Sequence, residues 1–527
     1  MTAGTITAGG WLLIAVLAVP ALGAAAVALL PAHLDRAARA LGTGVAALTL
    51  VLAAALYRSG GDWSAYAPHD AGPPAILPWH ELDLPWVPSV GLSFHLGVDG
   101  ISYPLVVLTA LLTLLCCAYT LWRTPDGRPG RSLVALLLVV EVGILGVFLA
   151  LDLVLFFVFF EVVLLPMYAI IVGWGGERRR HAAAKFALYT LAGSVLLLVG
   201  VFVVVAAAGT ADLVALTGGA GLSRGTQLFA FTLLALAFAV KSPLWPLHSW
   251  LPDAHTQAPT VGSVILAGVL LKMGTYGLIR VGLGAAPEGA RWAAPVLGAL
   301  AVAAILVGAL VCLAQSELKR LIAYSSVSHM GFVLLGIATL TATGVQAALI
   351  GNIAHGVVTG LLFFLAGAIK DREHTGLLAE LGGLRDTAPR LAGLLGFAAI
   401  ASLGLPGLAG FWGEIFAVVA ALRVGGAFWT VLAVLAAIGG ALTAAYLLRL
   451  LRQVTHGSPA PARPDPAAQP RPGTPAALLR PAGPSLAGVE LITWAPLVLL
   501  ALAIGLVPTL VLGMAQDPVA ALIEVIR

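Results

Sequence analysis

The sequence predicts an all-α polytopic membrane protein with about 14 transmembrane helices, and three observations carry that prediction. Of its 527 residues 60% are hydrophobic and only 10% are charged, too apolar a balance for a soluble chain with one core. The apolar residues gather in about 14 runs. Each run approaches the roughly 20 residues that a helix needs to cross a bilayer, whereas barrel strands would show a two-residue alternation. The basic residues alternate as well: of 28 Lys and Arg, 20 fall in loops after odd-numbered runs and 6 on the opposite side. Cytoplasmic loops carry this excess. The remaining two, Lys241 and Lys272, lie inside apolar segments, in a chain with five lysines against 23 arginines.

Taken in order, the predicted spans begin with 10–31, 38–57 and 99–122. The first is longer than a signal h-region and lacks a basic n-region, so it is expected to be retained. Residues 58–98, with Trp63, Trp79 and Trp86, form an extracytoplasmic loop with side chains suited to the membrane interface. Spans 132–150, 152–173, 183–208, 226–254 and 260–282 make a first block of five, and 292–315, 318–340, 344–369, 388–422 and 427–453 a second. Residues 457–486 are Pro- and Ala-rich and read as a semi-extended cytoplasmic linker before the last span at 488–513. Both chain ends are then expected to be extracytoplasmic. This divides the chain into an N-terminal unit 1–131, five-helix units 132–291 and 292–456, and a C-terminal unit 457–527.

The fourth span of each block carries a helix breaker: KSPLWPLHSWLPD from Lys241, and LGLPGLAGFWGE ending at Glu414. Five is odd, so tandem blocks have opposite orientation. Inverted five-helix repeats with two broken helices at matching positions point to a transporter core with sites near the midplane.

The charged residues inside the spans fit that core. Glu161 lies nine residues after Asp152, deep in an apolar run, and Glu141 lies at similar depth in the preceding antiparallel span. A charge at the bilayer centre costs about 2.5–3.5 kcal/mol on insertion scales. Lys241 precedes Pro243 and Pro246, whose backbone disruption frees carbonyls able to hold water. A lysine ammonium can release its proton where arginine does not, and a nearby Glu161 carboxylate would make the two titrate as a unit. Lys272 is the next mid-membrane base, followed by His329 and His355, then Glu414 at the second break. Histidine passes protons near neutral pH, and Tyr324, Ser325, Ser326, Ser328 and Asn352 are placed to order water between these groups.

Other polar residues receive plainer readings. His248 and His255 beside Asp253 read as solvated loop positions or relay positions, Arg178, Arg179 and Arg180 as topology anchors, and Asp152 as a helix cap. Cys116, Cys117 and Cys312 sit in apolar runs without metal or disulfide spacing and read as packing residues. No Gly-rich phosphate loop, zinc spacing or haem attachment motif is present in the sequence. Redox chemistry is therefore expected in partners, and neither a metal nor nucleic acid is expected on this chain.

These residues stand in stretches with a clear resemblance. GVDGIS from Gly97, FFEVVLLPMY from Phe159, AVKSPLWPLHSWLPDAHTQAPTVGSVILAGVLLKMGTYGLIR from Ala239, SELKRLIAYSSVSHMGF from Ser316, GNIAHG from Gly351 and LPGLAGFWGE from Leu405 are similar to the antiporter-like membrane subunits of respiratory complex I. Within these the chain resembles subunit M, the bacterial counterpart of mitochondrial subunit 4. The resemblance implies a coupled pair Glu161–Lys241, with Lys272 and Glu414 as later stations. Glutamate at 414, where sister subunits usually carry lysine, favours that branch. It further implies proton translocation in a bacterial plasma membrane, between two sister antiporter-like subunits. NADH, FMN, iron–sulfur clusters and quinone would be held by partner subunits. A sodium/proton antiporter subunit of the multisubunit type, or the membrane arm of a hydrogenase, is the alternative implied by the same helix pattern.

Overall fold

The computed structural model describes residues 6–57, 76, 78–87, 91–457 and 488–526. Trp63 and most of the linker at 457–486 lie outside these described residues. The chain is a multi-pass helical membrane protein. The passes are α1 (Ala8–Leu29), α2 (Asp35–Ala55), α3 (Tyr103–Trp122), α4 (Gly130–Leu149), α5–α6 (Leu153–Val162 and Leu164–Trp174) and α7 (Arg179–Ala208). After α8 (Leu213–Leu216) come α9–α10 (Arg224–Lys241 and Trp250–Gln257) and a pass of α11 (Thr260–Ile265) and α12 (Leu271–Gly277) joined by π-helical turns. The second half holds α13 (Pro287–Ala314), α14 (Leu318–Ala338), α15 (Ala342–Glu373), α16 (Leu384–Thr387), α17–α18 (Pro389–Ser402 and Ala409–Val424) and α19 (Gly426–Thr455). Helices α20 (Gly488–Leu506) and α21 (Thr509–Ile526) close the described chain.

One face of the bundle carries an antiparallel hairpin, β1 (His80–Val87) and β2 (Leu92–Val98), in which Asp83 lies opposite His95. Short backbone bridges tie it to the turns on that face: Leu96 pairs with Ala150, and Asp152 with Asp212. His95 Nε2 lies 2.7 Å from Glu81 and its Nδ1 3.4 Å from Asp212. Burial works against the imidazolium, but Asp212 and Glu81 outweigh it, and the His95 pKa is raised to about 9. Asp152 is the cap that its position predicts, its Oδ1 accepting from the amides of Val154 and Leu155.

The opposite face collects the arginine-rich turns. Arg39 bonds the Thr120 carbonyl, Arg123 pairs with Asp371, and Arg372 lies 2.7 Å from Glu490. The deepest passes are those of the interior: α11–α12, α14 and α15 are almost wholly buried among neighbouring helices, whereas α1, α2, α7 and α19 expose apolar flanks. Lipid, being as apolar as leucine, is a compatible solvent for such flanks.

Four details depart from the simple span reading. The fifth pass breaks at Val163, two residues after Glu161, because Pro166 has no amide to give the carbonyl of Val162 and its ring crowds that turn. The eighth pass holds π turns at Leu266–Leu270 and Leu278–Leu283, on both sides of Lys272. The last span does not run to 513: α20 stops at Leu506, before Pro508. The expected C-terminal tail is the helix α21, whose Ile526 carbonyl accepts from Arg291 Nη1 at 2.8 Å, at the start of α13 on the hairpin face.

Candidate functional site

Two interrupted helices deliver the central side chains. Helix α9 ends at Lys241 and the chain turns through 242–249 before α10 begins at Trp250. Helix α17 ends at Ser402 and α18 begins at Ala409, placing Glu414 in its second turn. Both breaks fall where the proline-containing motifs predict them.

At the first break Lys241 is buried, with Nζ 4.4 Å from the centre of the Phe160 ring, an arrangement favourable to an ammonium. Among the described residues no ion pair within 4.0 Å joins Lys241 to Glu161, although the Glu161 charge bears on the lysine. Glu161 Oε1 is buried without a hydrogen-bond partner among the described residues. At the break the Val240 carbonyl accepts from Trp250 Nε1 at 3.0 Å. Glu141 is fully buried on α4 with both carboxyl oxygens unpartnered among the described residues.

Lys272 is fully buried and turned back along its own helix. Its Nζ donates to the Ala267 carbonyl and lies 2.6 Å from His355 Nδ1 on α15. The π turn is the local cause: one extra residue in the turn leaves the carbonyls near Ala267 poorly matched to the α-helical ladder and open to a side chain. Gly274, two residues on, packs against Ser242 and the Phe238 carbonyl of α9, bringing the helices of the two lysines together. Lys241 and Lys272 themselves are not bonded.

Beyond His355 the groups come into register. The His355 and His329 rings have centroids 6.0 Å apart. His329 Nδ1 lies 2.9 Å from Glu414 Oε1, and its Nε2 3.1 Å from Ser402 Oγ. An ionised carboxylate only accepts, so a proton on Nδ1 of His329 points at Glu414. A cavity of about 30 Å³ lies at the 6.0 Å step, lined by His329, His355, Thr359, Ser402 and Glu414 among others. A water needs about 10–15 Å³ of such space and two to four polar partners, so the cavity has room for bridging water.

Sequence reasoning thus named four groups that meet in space, Lys272, His355, His329 and Glu414, and missed Ser402. Its signal was a hydroxyl at the last position before a helix break in an otherwise apolar run. Of the serines expected to order water, Ser325 and Ser326 donate to the Ile322 carbonyl and Ser328 to that of Ile305, each keeping its oxygen as an acceptor. Asn352 accepts from Thr275 Oγ1 at 3.0 Å, with its Nδ2 unpartnered among the described residues. His255 is not a solvated loop position. It is fully buried and stacked on Phe363 at 4.6 Å, because the chain after the break forms a helix that packs inward. Lys319 is buried too, its Nζ bonding the Ala258 carbonyl at 3.1 Å.

The family described as NADH:quinone oxidoreductase/Mrp antiporter, transmembrane region, matches residues 150–439. The chain is 40% identical over 449 residues to NAD(P)H-quinone oxidoreductase chain 4 3 of Trichormus variabilis, covering 84% of this chain and 81% of the relative. It is 44% identical over 387 residues to NADH-quinone oxidoreductase subunit M of Rhodobacter capsulatus, covering 71% and 74%. A chain in the structure of respiratory complex I from Thermus thermophilus with bound NADH superposes with a TM-score of 0.80 at 31% identity, covering 97% of this chain and 99% of that one. With both helix breaks and Lys272, His355, His329 and Glu414 inside the matched region, the chain belongs to the NADH:quinone oxidoreductase/Mrp antiporter family of membrane subunits.

Proposed function

We propose that this chain is a proton-translocating membrane-arm subunit of an NADH:quinone oxidoreductase, of the chain 4 or subunit M kind. The observation that carries the reading is the row Lys272–His355–His329–Glu414, linked by contacts of 2.6 and 2.9 Å around a cavity of water size. Every member can bind and release a proton; Lys272 and His355 are buried, and His329 and Glu414 are 10% and 16% exposed. Glu161 and Lys241 form the input pair. While the carboxylate bears on the ammonium the proton stays. When a movement of neighbouring subunits removes that influence, Lys241 gives up its proton toward Lys272, and re-pairing resets the site.

The same reading assigns NADH, FMN, iron–sulfur clusters and quinone to partner subunits, so that redox free energy arrives through protein contacts rather than through a cofactor of this chain. It places the chain between two sister antiporter-like subunits in a bacterial plasma membrane, with the hairpin face and both chain ends extracytoplasmic. Residues 132–291 and 292–456 serve as inverted halves, one around each break. Glu141, which touches no charged partner, is an accessory group at most.

Reconstituted oxidoreductase carrying Lys241→Ala tests the reading: NADH oxidation should proceed with little proton uptake into the vesicles. Lys241→Arg should be nearly as damaging, because a guanidinium keeps its proton. Full pumping with arginine at 241 would falsify the input role.

A further inference from the structure

We propose that Asp99, Tyr276 and Arg280 form a proton-tight seal at the hairpin-face end of the first half, so that a proton on Lys272 can leave only toward His355. The inference deepens the proposed function and rests on it. Its starting point is a polar cluster that the row does not use. Arg280 and Asp99 form an ion pair with only 5% and 2% of their side chains exposed. Asp99 Oδ1 also accepts from the amides of Ile101 and Ser102 at 3.0 Å each, fixing the carboxylate at the start of α3. Arg280 Nε donates to Tyr276 Oη at 3.3 Å, and Tyr276 Oη donates to the Phe148 carbonyl at 3.1 Å. The Phe148 and Tyr276 rings meet edge to face at 5.1 Å.

The geometry has direction. Lys272, Tyr276 and Arg280 follow one another at four-residue steps along the eighth pass, so Tyr276 and Arg280 stand between Lys272 and the hairpin face. Side chains on a helix lean toward its N-terminus, and the amine of Lys272 accordingly reaches back to Ala267 and His355. What fills the space on its other side is packed aromatic surface capped by a guanidinium. Arginine stays charged at any working pH, and its buried pairing with Asp99 holds the guanidinium in place across the path. Unlike Lys272 or His329, this group can stop a proton but not pass it on.

A second layer lies over the pair. Gly100 sits so close to the Met514 carbonyl of α21 that no side chain fits there, and α21 is held at its end by the Arg291 contact with Ile526. The open pocket on this face, lined by Tyr57, Tyr103, Met514 and Asp517 among others, includes neither Asp99 nor Arg280 in its wall.

The test is passive proton leak in proteoliposomes holding the whole reconstituted oxidoreductase. The internal pH is followed after an acid pulse without NADH. The double variant Arg280→Ala/Asp99→Ala should oxidise NADH, leak protons severalfold faster than the unaltered enzyme, and pump fewer protons per NADH. Adding Lys272→Met should return the leak to its original rate, which a general loosening of the bundle would not do. An assembled double variant with unaltered leak overturns the proposal, and so does a leak indifferent to Lys272→Met. Should the alanine variant fail to assemble, Arg280→Gln/Asp99→Asn is read in the same way. Rapid leak there supports the seal, and unaltered leak overturns it. If Lys241→Arg pumps normally while the seal variants still leak, the input role of Lys241 falls and the seal stands.

Discussion

The two helix breaks use the same device and surround it differently. At the α17–α18 break Glu414 is bonded to His329, His329 is bonded to Ser402, and a cavity adjoins all three. At the α9–α10 break Lys241 faces a phenyl ring, Glu161 Oε1 and Ser242 Oγ have no partner among the described residues, and the freed Val240 carbonyl is closed by Trp250. A buried polar group without a partner forfeits roughly 1–3 kcal/mol. The first break therefore stores electrostatic tension and the second dissipates it. A module that must respond to a signal from outside needs one part whose charges are poorly satisfied and hence easily displaced. It also needs a part that accepts the released proton without rearrangement.

The largest effects should come from cutting the bonded row. Lys272→Met or Glu414→Ala should lower proton pumping by roughly 100-fold or more, the scale on which positioned proton-transfer groups act, as read by vesicle acidification at equal NADH turnover. If either variant pumps normally, the second break is not the destination and the contrast between the halves loses its meaning. A smaller effect tests how far the second break depends on its hydrogen bonds. Ser402→Ala removes the Nε2 partner of His329, a neutral bond contributing about 1 kcal/mol net. Pumping should slow by less than about tenfold.

How much of this was legible in the sequence follows from the energies involved. Charges such as Lys241 and Glu161 in hydrocarbon and prolines such as Pro243 inside a span are costly enough to stand out in any context, so the passes and both breaks could be read directly. The placement of Lys272 against Ala267 could not, because it depends on a π turn that no local propensity announces. The burial of His255 against Phe363 and of Lys319 against Ala258 likewise depends on how α10 packs after the break, a tertiary matter. The break at Val163 was readable in principle from Pro166 but was masked by the strong apolarity of the run.

The smallest expected effect concerns the hairpin face. His95 is enclosed by Glu81 and Asp83 on the facing strand and by Asp212 from the turn before α8. Its folded pKa of about 9 lies above the ordinary 6.5. The imidazolium clamp thus contributes fully below about 6.5 and is lost as pH rises through about 9. The lowered pKa of Asp212, where the His95 charge outweighs burial, extends the clamp toward acid. Amide-exchange protection of β1 and β2 should be greatest below pH 6.5, decline steadily as pH rises from 6.5 and be lost above about 9, whereas His95→Gln should give lower protection with little pH dependence in that range. A pH-independent protection in the unaltered protein would remove the clamp from the account.

The π turn before Lys272 has a consequence for how this region tolerates change in length. A π turn is an α-helix carrying one surplus residue, and deleting a residue between Leu266 and Leu270 would restore the regular ladder. Because the wide turn already absorbs the surplus residue, the deletion would leave the flanking segments facing much as before, but it would draw the Ala267 carbonyl into the ladder and away from the Lys272 amine. The lysine would remain in the chain, identical in every substitution table, yet without the backbone acceptor that holds its amine beside His355. A single-codon deletion here would be a loss of function disguised as a shorter helix.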